Sequence, residues 1–135
     1  MTSTEQRRAA DALASVESLK EEPHGFKMLY RSYVDRIGPA IVMNGLGQAL
    51  ATERAAAGSK HADREKAHDR LYCNLQRWLC HQSDGIYPDS TDLLKAIMDN
   101  DESMYLRAQA EALAWLEWHK KFCRAELPKN GENEE

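Results

Sequence analysis

The chain has no apolar run long enough to cross a membrane. Its longest uncharged stretch, Ile37 to Ala51, is interrupted by Gly38, Pro39, Asn44 and Gln48, whereas a spanning helix needs about 20 predominantly apolar residues. The first eight residues are polar and lack the apolar core of a signal peptide, so a cytoplasmic protein is the expectation. Cysteine is scarce: three residues, at 73, 80 and 123, are too few and too unevenly spaced for a disulfide scaffold. All three are expected as thiols. Valine and isoleucine are few, which leaves strands hard to place. A strong charge imbalance is missing too. The formal charge is -4, and Glu132, Glu134 and Glu135 supply three of the negative charges. The nearly neutral remainder argues against a protein that grips nucleic acid alone by counterion release.

What is present is alanine and leucine, residues that lose little rotamer freedom in a helix. At 135 residues the chain has the size of one domain, able to bury roughly two thirds of the surface its unfolded state exposes. Helix breakers cluster at Pro23 and Gly25, Gly38 and Pro39, Gly58 and Ser59, Asp84 to Pro88, and from Pro128 onward. The pattern predicts an all-α fold, a single bundle of about six helices over residues 1–128, ending in a long core helix from Asp101 to Leu127. Residues 129–135 offer nothing apolar to bury and read as a disordered acidic tail.

Helical spacing places Ala9, Ala12, Leu13, Val16 and Leu19 on one face of the first segment, and Phe26, Tyr30, Tyr33, Val34 and Ile37 on one face of the second. Pro39 suits the first turn of a third helix, because that turn leaves its missing donor unpaired anyway. That helix would run to about Ala57, with Val42, Met43, Leu46, Ala49 and Leu50 inward. Its opposite face, including Asn44, Gly47, Gln48 and Ala51, is small and uncharged. Glycine inside a helix costs about 1 kcal/mol relative to alanine, so Gly45 and Gly47 suggest a close approach by another backbone or by a partner. A fourth helix from Asp63 to Gln82 would bury Leu71, Leu75, Trp78 and Leu79, and a short fifth would turn Leu93, Leu94 and Ile97 inward. Asp101 can cap the sixth.

No constellation of catalytic residues emerges. Gly45-Leu46-Gly47-Gln48 lacks the third glycine and the preceding strand of a dinucleotide loop. Cys73, Cys80, His81, His119 and Cys123 could be imagined around zinc, and all but His81 in a free-standing metal or redox protein, but no paired close spacing such as C-x2-C occurs. No cofactor and no metal are expected. His119 shares a stripe with Tyr105, Ala108, Ala112, Trp115 and Phe122, which reads as a core histidine with one hydrogen-bonded nitrogen. Lys66, Arg70 and Arg77 project within one arc of the fourth helix, either a solvated face or a surface for a polyanion or an acidic partner. Lys120, Lys121 and Arg124 form a second basic group beside Trp118, whose ring could stack on a base or simply finish the core.

The stretch Gly38-Pro39-Ala40-Ile41-Val42-Met43-Asn44-Gly45-Leu46-Gly47-Gln48-Ala49-Leu50-Ala51 resembles the signature of the small helical subunit of the type III-B CRISPR effector, the Cmr complex. The closing run from Glu111 to Leu127 is similar to that family's last helix, and the likeness extends from Arg7 to Leu127. Thr52 departs from the pattern, since members often carry an aromatic there. The resemblance implies a non-catalytic subunit that stacks with copies of itself as a minor filament beside the repeating backbone subunit, lining the channel where guide RNA pairs with target RNA. Target cleavage would belong to the backbone subunit, and other nuclease or cyclic-oligonucleotide chemistry to the large subunit or proteins it activates. Stacking head to tail needs two different contact surfaces, for which Asn44, Gly45, Gly47, Gln48 and Ala51 are candidates. The corresponding subunit of the related type III-A complex is the neighbouring alternative.

Overall fold

In the computed structural model, which describes residues 2–81 and 85–129, Ser3 opens the first helix with a reciprocal cap. Its hydroxyl accepts the Gln6 N–H at 3.1 Å while the Gln6 side chain accepts the Ser3 N–H at 2.8 Å. Among the described residues six helices follow in chain order: α1 Thr4–Glu17, α2 His24–Asn44, α3 Leu46–Ala57, α4 Asp63–Leu79, α5 Leu93–Asp99 and α6 Glu102–Glu126. No strand occurs among the described residues. The helical bundle closing on a long C-terminal helix is thus the architecture the residue pattern predicts. Asp101 caps α6 as expected, accepting the Met104 N–H at 2.9 Å. The expected acidic tail lies outside the described residues from position 130 on, as does Asp84 of the expected break.

One boundary differs in an instructive way. The third helix was expected to begin at Pro39, yet α2 runs through Gly38 and Pro39 and stops at Gly45. Proline inside a helix normally costs about 3 kcal/mol, partly through clashes with the preceding turn and residue. Gly38 has no Cβ to clash with the proline ring, and a Cβ built there would meet only open space, so packing does not explain this glycine. The buried stripe Phe26, Tyr30, Tyr33, Val34, Ile37 and Ile41 continues across the proline without losing register, and its burial on both sides holds the helix together. The displaced boundary also turns Val42 and Met43 outward. They are 71% and 82% exposed rather than part of the inner face, while Leu46, Ala49 and Leu50 are buried as expected.

The helices share one apolar cluster. α1 lies on α6, α2 contacts both α4 and α6, α3 sits against α4 and α2, and α5 touches α3. Leu71, Leu75, Trp78 and Leu79 of α4 are buried in it, as are Leu93 and Leu94. Inside the cluster runs a polar chain. The Tyr30 hydroxyl meets His119 Nε2 at 2.6 Å and accepts from Asn74 Nδ2 at 2.9 Å. His119 Nδ1 lies 3.0 Å from the Ala12 carbonyl. A carbonyl can only accept, so Nδ1 carries the proton and Nε2 accepts from the phenol. Both ring nitrogens of His119 are therefore engaged, one more than the sequence suggested. The imidazole also stacks on Trp115, with centroids 4.2 Å apart.

Burial lowers the His119 pKa to about 4, against a weaker opposing pull from the Ala12 carbonyl. The unfolded chain would take up that proton near pH 6.5, well before the folded chain does. Stability from this residue is complete above pH 6.5 and falls as the pH drops toward 4. Urea unfolding at pH 7 and near pH 4.5 is expected to show a loss of roughly 2–3 kcal/mol from His119. That increment should vanish in His119→Gln, measured as the difference between the two proteins' pH dependences.

Candidate functional site

The break between α2 and α3 is built on Gly45, which holds φ +89° and ψ 158°, a region open to glycine and strained for other residues. Its N–H donates to the Ile41 carbonyl at 2.7 Å and its carbonyl accepts the Ala49 N–H at 3.1 Å, so one residue ends α2 and starts α3. α3 has no side-chain cap of its own. Its first N–H groups instead point at α6, where Leu46 N–H donates to Gln109 Oε1 at 2.9 Å and Gly47 N–H donates to the Tyr105 hydroxyl at 3.0 Å. These satisfy donors that a helix start otherwise leaves unpaired. The close approach expected at the two glycines therefore comes from α6 of the same chain. A Cβ on Gly45 would stand 3.0 Å from the Tyr105 oxygen, whereas one on Gly47 would sit at an ordinary 3.6 Å.

Around this junction lie the most exposed large apolar side chains among the described residues. Val42 and Met43 end α2, Leu106 is 55% exposed near the start of α6, and Met98 is 75% exposed near the end of α5. A cleft of about 540 Å³ joins Gly47, Gln48 and Ala51 of α3 to Ile97 and Met98 of α5 and Tyr105 of α6. Three of the five interface candidates read from the sequence therefore line one recess. Asn44 is exposed at the end of α2 and borders a separate groove with Tyr33, Arg36 and His68. Gly45 lies half-buried beneath Tyr105. Met98, Tyr105 and Gln109 were not singled out for this site. The spacing of Leu94 and Met98 at i, i+4 was a signal for the first, but Tyr105 read only as core.

The three cations of the basic arc on α4 are held in different ways. Arg70 pairs with Glu22 at 2.5 Å and lies over the Phe26 ring, 5.5 Å from its centroid. Arg77 donates to Asp11 at 2.7 Å and to Asn74 Oδ1 at 2.8 Å. Lys66 is exposed, and its ammonium makes no ion pair with a described residue. In the second group Lys120 and Lys121 share Glu117 at 3.5 and 3.9 Å, and Arg124 reaches Asp35 at 3.1 Å. Trp118 is half-buried, stacks on Phe122 and donates its indole N–H to Glu5 at 3.0 Å. Trp118 also lines a groove with Ala114 and Lys121.

The sulfur and histidine residues do not converge. Cys73 is exposed, Cys80 half-buried and Cys123 buried, the last with its thiol pushed up to about 12 by burial. Among the described residues no three histidine, cysteine, aspartate or glutamate side chains group to hold a metal ion. None of their helices is long and apolar enough to cross a membrane.

A helical bundle that gathers exposed apolar side chains around one helix junction has the build of a protein that packs against other proteins. Comparison with known families identifies it further. Residues 4–126 match the family described as CRISPR-associated protein (Cas_Cmr5), and the chain belongs to that family, the small subunit of the type III-B Cmr complex. No curated protein matches the chain closely enough to count as a relative. Membership places the protein among the structural subunits of a Cmr effector complex.

The junction geometry separates the two glycines in a testable way. Gly45→Ala forces a side chain into a strained backbone region and against Tyr105, and is expected to cost roughly 1–3 kcal/mol in urea unfolding. Gly47→Ala meets ordinary contact inside a helix and should be neutral or stabilising by up to about 1 kcal/mol.

Proposed function

We propose that this protein is a non-catalytic building block of the Cmr complex, stacked with copies of itself as a minor filament beside the backbone subunit and lining the channel that holds guide and target RNA. The observation that carries the reading is the exposed apolar set around Gly45, on a chain matched by the Cmr small-subunit family over nearly its whole length. An exposed Val42, Met43 and Met98 gain by leaving water when a neighbouring subunit covers them. Residues 1–128 act there as one domain. RNA contact falls to cations that are not committed inside the fold, Lys66 and the 69%-exposed Lys121 before Arg70, Arg77 and Arg124. A subunit with a formal charge of -4, several of whose arginines pair within the fold, supports RNA alongside its partners rather than alone, and the guide, not this protein, reads sequence by base pairing.

A tagged chain purified from its native host should bring down the backbone subunit and guide RNA, identified by mass spectrometry and sequencing. Their absence would overturn the reading. In the assembled complex, Lys66→Glu with Lys121→Glu should weaken target RNA capture and lower the stability of the isolated chain by no more than about 0.5 kcal/mol, since the Lys121–Glu117 pair is a surface contact. Arg77→Glu should instead destabilise the isolated chain by roughly 1–3 kcal/mol, because it sets a carboxylate beside Asp11.

A further inference from the structure

We infer that the groove between α2, α3 and α4 holds one unpaired guanine of an RNA strand, its donor edge on the Glu53 carboxylate and its phosphate toward Arg36 and Arg64. RNA as the source of the base rests on the assembly reading, while the chemistry of the groove stands without it.

The first observation is a buried carboxylate with acceptor sites unfilled. Glu53 of α3 is 8% exposed, and its one hydrogen bond with a described residue comes from His68 of α4, whose Nδ1 lies 2.9 Å from Oε1. A carboxylate only accepts, so the imidazole donates, and about four lone-pair sites are available for that one bond. Oε2 has no donor, yet it is not closed off from solvent, since Tyr87 carries the one atom among the described residues that is both buried and unpartnered. Glu53 and His68 both line a groove of about 270 Å³, bordered by Asn44 at the end of α2.

The second observation is Tyr33, which lines the same groove and is likewise 8% exposed. Its ring stacks on the His68 imidazole, with centroids 3.7 Å apart and planes 11° from parallel, which holds the imidazole against Glu53. The Tyr33 hydroxyl bonds to no described residue and is also open to solvent. Burial raises this phenol above its usual pKa, while Arg36 pulls it down, Glu53 pushes it up and Arg64 pulls it down, so two cations and one carboxylate converge on it. Arg36 lies over the ring, 5.0 Å from its centroid, tied only by 3.4 Å bonds to Ser32. Neither Arg36 nor Arg64 makes an ion pair with a described residue, and both are exposed.

Exposed cations around a buried acceptor narrow the ligand. A bare phosphate would meet Glu53, and a lysine or arginine from a partner would meet Arg36 and Arg64. A nucleotide suits both, because it joins an anion to a base that carries donors. Guanine alone among the four RNA bases sets two donors side by side on its Watson–Crick edge, N1–H and the 2-amino group, which a carboxylate can take together. Adenine and cytosine place a ring acceptor beside their amine, and uracil flanks its single N–H with carbonyls. The Asn44 amide, which makes no hydrogen bond with a described residue, supplies a donor for guanine O6. At this volume the groove falls just short of the roughly 300–1,000 Å³ of a small-molecule pocket, which suits one base and excludes a duplex. A base must be unpaired to enter, so the choice of target stays with the guide.

The test uses the full chain and three dye-labelled RNA hexamers, UUUGUU, UUUAUU and UUUUUU, read by fluorescence anisotropy at constant salt. UUUGUU should bind about tenfold more tightly than the other two. Replacing its guanine with inosine, which lacks the 2-amino group, should remove most of that margin without touching the protein. Glu53→Gln, with its fold checked by circular dichroism, should bind all three hexamers alike, whereas Arg36→Gln should weaken all three by about two- to threefold and keep the margin. Unlabelled GMP should displace UUUGUU only well above the concentration at which the unlabelled hexamer does, and displacement at equal concentration would overturn RNA as the source. Equal affinities for the three hexamers, no binding of any, or a margin that survives inosine or a folded Glu53→Gln would overturn the guanine site and leave the assembly reading untouched. A chain that shows the margin yet never co-purifies with the backbone subunit would overturn the assembly reading and leave the guanine site standing.

Discussion

The 2.6 Å hydrogen bond between Tyr30 and His119 fixes how the four long helices meet. Tyr30 belongs to α2 and His119 to α6, the imidazole reaches α1 through the Ala12 carbonyl, and the phenol takes a bond from Asn74 of α4. Each of these groups is buried, so each would be costly if its partner moved away. Apolar packing alone tolerates small slides of one helix along another. A chain of buried donors and acceptors tolerates one register, because a slip of a single turn would leave several of them unpaired.

A second clamp works with charge. Arg8 of α1 meets Glu111 of α6 through two hydrogen bonds of 2.6 and 2.8 Å, and the same carboxylate accepts the Trp78 indole N–H at 3.0 Å. Asp11 plays a similar part, accepting from Arg77 and from the Trp115 indole. Such partly buried, charge-assisted bonds hold better than surface pairs. They also redistribute what the composition offers. Arginines that look like a basic surface in the sequence are spent on holding α1, α4 and α6 together, which is why the surface left for a polyanion is smaller than the count of basic residues suggests.

The division between what could be read in advance and what could not follows the range of the interactions. Periodicity exposed the buried faces of α1, α2 and α4 because burial repeats every three to four residues within one helix. The Asp101 cap was legible because its acceptor and donor are three residues apart. Pro39 misled because the cost of a proline is local while the stripe that overrides it spans Phe26 to Ile41. The roles of Arg77, Tyr105 and Gln109 stayed hidden for a different reason. Their partners lie 58 to 66 residues away in the chain, and no local spacing marks such a pair. The small-residue set Gly47, Gln48 and Ala51 was visible, but its apolar wall on α5 required the fold.

α6 shows how one helix serves the fold and the surface at once. Trp115 and His119 sit at the centre of the polar core, while Tyr105 and Gln109, about two to four turns nearer its start, finish the N-terminal turn of α3. The helix is therefore anchored by buried bonds at one level and completes the α2–α3 junction at another. A rigid connection between the two means that the exposed apolar residues around Gly45 are presented in a fixed arrangement before any partner arrives. Pre-organisation of this kind lowers the ordering cost of association. In the proposed assembly this matters, because a contact made by only a handful of large apolar side chains holds only if little of its energy goes into ordering it.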